Sequence, residues 1–128
     1  MPAMDHAAAV RQLIEEWAAA VRARDLDRIL AHHAPDFVMF DVPPPIVSKG
    51  LEAYRKTWDT FFGWSQTPTV FDIVEMDVTA GSDVAFAFAL MRCAGAKDGP
   101  LDFRLTVGLR RVGEEWVITH EHHSIPAE

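Results

Sequence analysis

Two stretches near the start of the chain have apolar residues at helical spacing. Between residues 5 and 23, apolar positions recur every three or four residues, and polar side chains fall elsewhere on the helical wheel. The two apolar stripes are Val10, Leu13, Ile14, Trp17 and Val21, and then Leu26, Ile29 and Leu30. Asp5 and Asp25 are suitable N-caps for the two helices. We expect Pro35 to end the second helix, because the residue before a proline is pushed out of the α region.

The middle of the chain predicts a short strand, a stiff connection and a third helix. Residues 37–40 are dense in strand-forming side chains, and three consecutive prolines follow at 43–45. Prolines exclude a helix interior or a central strand, so the connection after Asp41 is extended and stiff. A third helix is expected from about residues 48–50 to Gly63. Its aromatic face comprises Leu51, Tyr54, Trp58, Phe61 and Phe62.

From Thr69 onward the pattern changes to four strand-like runs separated by turn signals. The runs are Val70–Thr79, Val84–Cys93, Leu101–Val112 and Trp116–Ser124. Short glycine-bearing connections favour antiparallel hairpins over crossovers. Helices followed by a run of strands predict an α+β fold, with helices on one face of an antiparallel sheet. No linker or repeat divides the sequence, so we expect one domain over residues 1–128.

Alternation along the strands predicts which side chains share a face. In the run 84–93 both faces are apolar, with Phe86, Phe88 and Leu90 opposite alanines. A sheet of this kind is covered on both sides, by helices on one side and by a partner subunit on the other. The sequence therefore predicts a homodimer.

Composition and charge narrow the function classes. Apolar residues make up 49% of the 128 residues and charged residues 24%, which is ordinary for a globular protein. The net charge of −7 argues against nucleic acid or an anionic membrane as a partner. The start of the chain lacks a basic flank, and no apolar run approaches membrane-spanning length. We expect a cytoplasmic protein whose one cysteine, Cys93, is a small buried hydrophobe.

Four stretches carry a resemblance to a known family. They are the Arg-Asp-Leu-Asp break at 24–27, the connection 41–50 leading into Leu-Glu-Ala-Tyr at 51–54, the strand 104–106, and the ending 116–124. The chain resembles, over nearly its whole length, the SnoaL-like branch of the nuclear transport factor 2-like superfamily, which includes ketosteroid isomerases and small polyketide cyclases. The resemblance implies a cystatin-like cone, in which a curved antiparallel sheet wraps around three helices and a mostly apolar cavity. It also implies dimers through the convex sheet face.

Asp41 is the first candidate for chemistry. In ketosteroid isomerases the aspartate of the similar loop is the general base, which the resemblance carries over to Asp41. The alternative is an aspartate that caps a turn. This sequence departs from the isomerases at two positions, because Trp17 stands where they place a catalytic tyrosine and Thr106 where they place a protonated aspartate. An indole N–H is a poor acid, so steroid isomerase activity is disfavoured.

The ending His120-Glu121-His122-His123 is the densest polar group in the chain. His120 and His122 share one face of the last strand, where they are candidates for acid–base catalysis or for orienting a substrate. They can also be histidines that are hydrogen-bonded at the end of the sheet, or two ligands of a metal with Asp41 as the third. Glu121 and His123 project to the other face, and we expect them at the surface or at a dimer interface.

Arg104 and the aromatic residues complete the predicted site. If Arg104 points into the cavity, Asp41 or a substrate anion is its natural partner, and the superfamily's epoxide hydrolases use a related Asp-Arg-Asp arrangement. The alternative is a surface pair with Asp102. The expected cavity walls and ligand-binding residues are Trp17, Tyr54, Trp58, Phe61, Phe62, Trp64, Phe88 and Thr106. His32 and His33 are expected to close the second helix, where a cation favours the helix dipole.

Two functions remain open at this point. The first is an enzyme that isomerises, cyclises or dehydrates a small apolar substrate, with Asp41, His120 or His122 moving a proton and Arg104 and Tyr54 orienting the polar end. The second is a non-catalytic module of the same fold that binds a ligand or dimerises. No glycine-rich phosphate loop is present, so we expect no nucleotide cofactor.

Overall fold

The computed structural model describes residues 5–127. The described residues form three helices and six strands, and all three helices precede the last four strands. They are α1 (His6–Arg22), α2 (Leu26–Leu30), β1 (His33–Phe40), β2 (Ser48–Lys49), α3 (Gly50–Trp64), β3 (Phe71–Ala80), β4 (Val84–Gly95), β5 (Gly99–Val112) and β6 (Glu115–Ser124). None of the helices within 5–127 is long and apolar enough to cross a membrane.

The helix starts confirm the predicted caps, whereas the end of α2 differs from the prediction. The Asp5 carboxylate accepts from the Ala8 N–H, and the Asp25 carboxylate accepts from the Arg28 N–H. Helix α2 ends at Leu30, and the chain then turns through His32, whose φ is +64°. Pro35 therefore lies inside β1, in the interval where the register between β1 and β6 shifts. Its missing N–H interrupts no regular pairing there.

The sheet is curved and unclosed, with strand order β2-β1-β6-β5-β4-β3. Its strands pair antiparallel except β1 and β6, which run parallel, so the expectation of a purely antiparallel sheet is wrong for this pair. Helices α1 and α3 pack on one face, against β3 and β1 respectively. We call this face the inner face and the opposite one the outer face.

Strand β4 has the two apolar faces that its sequence predicts. Ala85, Ala87, Ala89 and Met91 are buried on the inner face, where small side chains leave room for the packed helices. On the outer face Val84, Phe86, Phe88 and Leu90 are all exposed in the single chain. The inner core is continuous with the buried side chains Phe103, Leu105, Val107 and Leu109 of β5.

A β-bulge in β6 reverses the predicted faces of the last residues. Opposite β5, the pairing steps from Gly108–His120 to Leu109–Ile118, so Thr119 is an extra residue. Because alternation has a period of two, one extra residue moves every following side chain to the other face. Ile118 is buried on the inner face as predicted, but beyond the bulge Glu121 and His123 are the buried side chains. The prediction that they face outward is wrong.

Candidate functional site

An open cavity of about 630 Å³ lies between α3, the connection after β1 and the inner face of the sheet. Its walls are mostly apolar, and its polar side chains are few, as is usual for a small-molecule site. The lining comprises residues 41–45 of the connection, Ser48, Ala53, Lys56, Thr57, Thr60, Phe61, Trp64, Cys93, Leu101, Phe103, His123 and Ile125. The cavity is not plugged by side chains, so the fold provides space for a ligand.

His123 is the imidazole in this wall. Its ring stacks on Phe103 with an interplanar angle of 11°, and 9% of the residue remains exposed. Its Nε2 donates to Oε1 of Glu121 at 2.9 Å. Within residues 5–127, no hydrogen bond engages Nδ1, and this atom is not sealed in the core. One nitrogen is therefore held by a carboxylate, while the other has no hydrogen-bond partner among the described residues.

Glu121 is the centre of a buried network that holds His123 in place. Its side chain is fully buried, and it accepts from three donors. Oε1 accepts from His123, while Oε2 accepts from Nε2 of His33 and from the Tyr54 hydroxyl, both at 2.8 Å. The Trp17 indole N–H donates to the same hydroxyl at 3.0 Å. A buried carboxylate with three donors is satisfied and rigid, which fixes the imidazole it holds.

The network shifts the pKa values of its members. Burial raises the pKa of Glu121, but the hydrogen bonds from His123 and His33 outweigh burial and lower it to about 2. Burial lowers the pKa of His123, but its hydrogen bond to Glu121 and the charges of Glu121 and Asp41 raise it above its ordinary value. Burial and the neighbouring Glu121 carboxylate raise the pKa of Tyr54 well above 10. Glu121 is thus an anion whose charge stabilises a proton on His123.

Asp41 lies directly after β1 and lines the same cavity as His123. One of its oxygens accepts from the backbone N–H of Val42 at 2.8 Å, which is the turn-capping bond considered for it. Its charge also contributes to the raised pKa of His123. The structure therefore brings this predicted residue to the cavity, beside a histidine other than the two predicted.

The other predicted catalytic residues lie on the outer face. Arg104 is exposed and its Nε donates to the Ser124 hydroxyl at 3.0 Å, rather than pairing with Asp41. His120 is half-buried, and its Nδ1 donates to the carbonyl of Val38 at 2.7 Å. His122 is exposed. Asp41 and His122 both line a second, more open pocket beside the proline connection, but Arg104 does not. The predicted grouping of Asp41, Arg104 and a histidine of the 120/122 pair in the main cavity is wrong, because the bulge turns these histidines outward.

The predicted ligand-binding residues divide into three groups. Phe88 and Thr106 are register neighbours of each other on the outer face. Trp17, Tyr54 and Trp58 are buried in the core and are not among the residues that line the cavity, so Tyr54 supports Glu121 instead of facing a ligand. Phe61 and Trp64 line the cavity as expected, whereas Phe62 is not among the lining residues.

Two smaller expectations concern thiol and metal chemistry. Cys93 is buried, and burial together with the charge of Asp102 raises the pKa of its thiol to about 11, which disfavours the thiolate at neutral pH. In the described part of the chain, no three His, Cys, Asp or Glu side chains come together as metal ligands. The surface pair with Asp102, considered as the alternative role of Arg104, is not formed either, because Arg92 donates to Asp102 at 2.7 Å.

Sequence reasoning missed three functional candidates, Glu121, His123 and His33. Regular alternation places the first two on the wrong face, and the expectation that His33 closes a helix is wrong, because His33 is buried in β1. One signal was available. Gly108 interrupts an otherwise regular strand, and a glycine inside a strand often marks a bulge. It faces the bulge here, with its carbonyl accepting from the Thr119 hydroxyl at 3.2 Å.

Comparison with known proteins gives one family and many similar folds. The sequence pattern of the SnoaL-like domain family matches residues 10–128 of this chain. An NTF2-like protein of unknown function from Pseudomonas putida is 39% identical, with a TM-score of 0.87 over 98% of this chain and 92% of that one.

Two more distant structures share the fold alone. A ketosteroid isomerase-like protein from Erwinia carotovora is 16% identical, with a TM-score of 0.78 over 96% of this chain and 98% of that one. A protein with a cystatin-like fold from Nostoc punctiforme is 14% identical, with a TM-score of 0.80 over 99% and 96%. Among curated proteins, none matches the chain.

Proposed function

Because this chain belongs to the family of SnoaL-like domains, we propose that it binds a small, mostly apolar molecule in the cavity and transfers a proton on it. The wider fold family includes isomerases and cyclases. The observation that supports the proposal is a single imidazole in an apolar cavity wall, backed by a fully buried carboxylate. The reaction class is isomerisation, cyclisation or dehydration of a substrate that carries a carbonyl or hydroxyl group.

His123 is the proton-transfer group in this proposal. Its Nε2–H is fixed by Glu121, so a neutral ring presents the Nδ1 lone pair to the cavity. Nδ1 takes a proton from a C–H or O–H of the ligand and returns it to another atom of the same ligand. A positioned acid–base group of this kind contributes roughly 10²–10⁴-fold to a rate. Glu121 is a positioning residue, since it acts on the ligand only through His123.

Asp41 and Lys56 give the cavity two further charged groups. Asp41 is a second acid–base candidate at the end of β1, beside the stiff connection that forms one wall. Lys56 reaches the same cavity from α3, where an ammonium group stabilises the negative charge that develops on a carbonyl oxygen during proton abstraction. Both groups lie along apolar walls that bind the rest of the ligand.

The test begins by identifying the ligand and then separates binding from turnover. Native mass spectrometry of the purified protein identifies a co-purifying small molecule, which is then used as the substrate. We expect His123→Gln to lower kcat at least 10²-fold while the ligand's Kd changes little, and Asp41→Asn to lower kcat less. His120→Gln is the matched control, because it removes an imidazole from the outer face of the same strand. Unchanged turnover in His123→Gln contradicts the proposal.

A non-catalytic binding module is the second candidate. The specific observation in its favour is that Arg104, the predicted orienting cation, lies outside the cavity, and that one Asp41 oxygen is already occupied by the Val42 N–H. A module of this kind binds the co-purifying molecule without converting it. In that case His123→Gln alters Kd, and no product forms with the wild-type protein.

We infer that a second copy of the chain covers the outer face. Phe88, Thr106, His122 and Phe40 are register neighbours across four strands of this face. Both phenylalanines are exposed, as are Phe86 and Leu90 beside them. A contiguous apolar patch of this kind on a sheet is typical of a protein–protein interface, and homodimers with two-fold symmetry are the commonest case.

Light scattering during size-exclusion chromatography tests the dimer. We expect twice the chain mass for the wild-type protein and one chain mass for Phe88→Asp. Val112→Asp is the control, because Val112 is an exposed apolar residue at the far end of β5. A wild-type protein that elutes as a monomer at 100 µM contradicts the inference.

A further inference from the structure

His33 lies on the far side of Glu121 from the cavity. Its side chain is fully buried at the start of β1. It packs at 4.7 Å from the Tyr54 ring and edge-on against Phe37. Its Nε2 contacts Oε2 of Glu121 at 2.8 Å, and Nδ1 contacts the carbonyl oxygen of Ala31 at 3.2 Å. The histidine therefore touches the network that holds His123 without touching the cavity.

The partners of His33 define its protonation. A backbone carbonyl and an ionised carboxylate only accept hydrogen bonds, so a hydrogen bond to each of them places hydrogen on both ring nitrogens. His33 is then an imidazolium, and it forms a buried ion pair with the Glu121 carboxylate. His123 differs, because only its Nε2 faces an acceptor in residues 5–127. The Glu121 carboxylate therefore accepts from two different histidines. His33 has an acceptor at each of its ring nitrogens, whereas His123 has one only at Nε2.

We propose that His33 is a positioning residue that acts as the resident countercation of Glu121 and thereby leaves His123 free to exchange its proton with a ligand. The proposal deepens the proposed function and rests on it. An opposite charge and hydrogen-bond donors together offset the cost of burying a carboxylate. With His33 supplying that charge, His123 need only donate one hydrogen bond, and its second nitrogen can gain and lose a proton.

The groups around His123 define what removal of His33 does. Glu121 faces it on β6, Asp41 reaches it from the end of β1, and Tyr54 on α3 and Trp17 on α1 hold Glu121 with neutral donors. In this set His33 is the cation beside the carboxylate. Without it, the charge of Glu121 acts on His123 alone, which retains its proton more strongly.

The decisive experiment is nitrogen-15 NMR of the histidine rings during a pH titration. In the wild-type protein we expect hydrogen on both His33 nitrogens, as their two acceptors require, whereas the His123 ring titrates. In His33→Gln, which keeps an amide donor and removes the charge, we expect the His123 midpoint to rise by at least about one pH unit, a tenfold gain in proton affinity. His120→Gln is the control and leaves that midpoint unchanged.

The outcomes separate this proposal from the proposed function. A neutral His33 in the wild-type protein overturns the proposal, and this measurement needs no variant that might fold poorly. An unmoved His123 midpoint in folded His33→Gln overturns it as well. If the midpoint moves as expected but His123→Gln retains full turnover of the co-purifying ligand, the charge coupling stands and the catalytic role of His123 fails.

Discussion

The inner and outer faces of β6 carry the same kinds of side chain in opposite surroundings. On the inner face, Glu121 and His123 are buried and hydrogen-bonded to each other and, through Glu121, to two further elements, β1 and α3. On the outer face, His120 makes one bond to a backbone carbonyl and His122 is exposed. The comparison teaches that residue type alone does not identify a site. The cavity on one side and the donors behind it distinguish His123 from its neighbours.

The largest expected effect comes from removing the centre of the inner network. Glu121→Ala leaves His33, His123 and Tyr54 without their shared acceptor in the core, and breaking a buried ion pair costs roughly 3–5 kcal/mol. Glu115→Ala, at the exposed start of the same strand and away from the dimer patch, should change stability by less than about 0.5 kcal/mol. Urea unfolding of both variants at pH 7 measures the difference. Equal stability of the two variants would show that the inner network does not stabilise the fold.

The next prediction concerns stability against pH. The folded-state pKa of Glu121 is lowered, so its contribution is present above about pH 4.5 and is lost as the pH falls toward 2. A shift from 4.5 to about 2 corresponds to roughly 3 kcal/mol. The pKa of His123 is raised, so its contribution is present below about pH 6.5 and is lost as the pH rises through the folded value.

Urea unfolding from pH 2 to 9 measures how the free energy of unfolding falls at low pH (the acid limb) and at high pH (the alkaline limb). We expect the free energy of unfolding to be highest between about pH 4.5 and 6.5. In Glu121→Gln the acid limb should become shallower, and in His123→Asn the alkaline limb should. An acid limb of the same steepness in Glu121→Gln would assign acid unfolding to the surface carboxylates instead.

A smaller effect is expected at Tyr54, the hydroxyl donor of the network. Tyr54→Phe removes one of three donors to Glu121 and leaves the Trp17 indole N–H without its acceptor. Leaving buried polar groups unpaired costs about 1–3 kcal/mol. Thr60→Val is a control on the same helix, because the Thr60 hydroxyl bonds only to a backbone carbonyl and is exposed. A Tyr54→Phe variant as stable as this control would place the hydroxyl outside the network.

The sole tyrosine of the chain allows a direct measurement of the same contact. Burial and the Glu121 carboxylate raise the pKa of Tyr54 well above 10, so tyrosinate absorbance should develop only well above that pH. Glu121→Gln removes the negative charge and should bring the transition closer to 10. Absorbance that develops at pH 10 in the folded wild-type protein would contradict the buried contact.

Local patterns in the sequence predict most of the elements but not the site. The caps at Asp5 and Asp25 and the four later strands are confirmed within one or two residues, because they depend on neighbours in sequence. The parallel pairing of β1 with β6 joins Val38 to His120, 82 residues apart, and no local pattern reports such a contact. His33 reaches Glu121 only through this pairing.

The error at the site has a single physical origin. Alternation predicts faces correctly up to Ile118, where an apolar side chain is buried on the inner face. One extra residue, Thr119, then moves Glu121 and His123 inward and His120 and His122 outward. Asp41 was predicted correctly as a cavity residue because its position depends on the strand end and the prolines beside it.

The smallest expected effect sharpens the comparison from the outer face. Arg92 on β4 and Asp102 on β5 form the closest ion pair there, with Nε to Oδ1 at 2.7 Å, and both side chains are largely exposed. Water and salt screen such a pair, and ordering two long side chains offsets the attraction. We expect Arg92→Ala to leave the urea midpoint unchanged at 0.15 M salt.

An ion pair of similar length on the inner face, His33 with Glu121 at 2.8 Å, is removed from water, so its contribution to stability should persist at high salt. Unfolding of Arg92→Ala and His33→Gln at low and high salt distinguishes the two. A midpoint of Arg92→Ala as low as that of His33→Gln would mean that burial does not separate the faces.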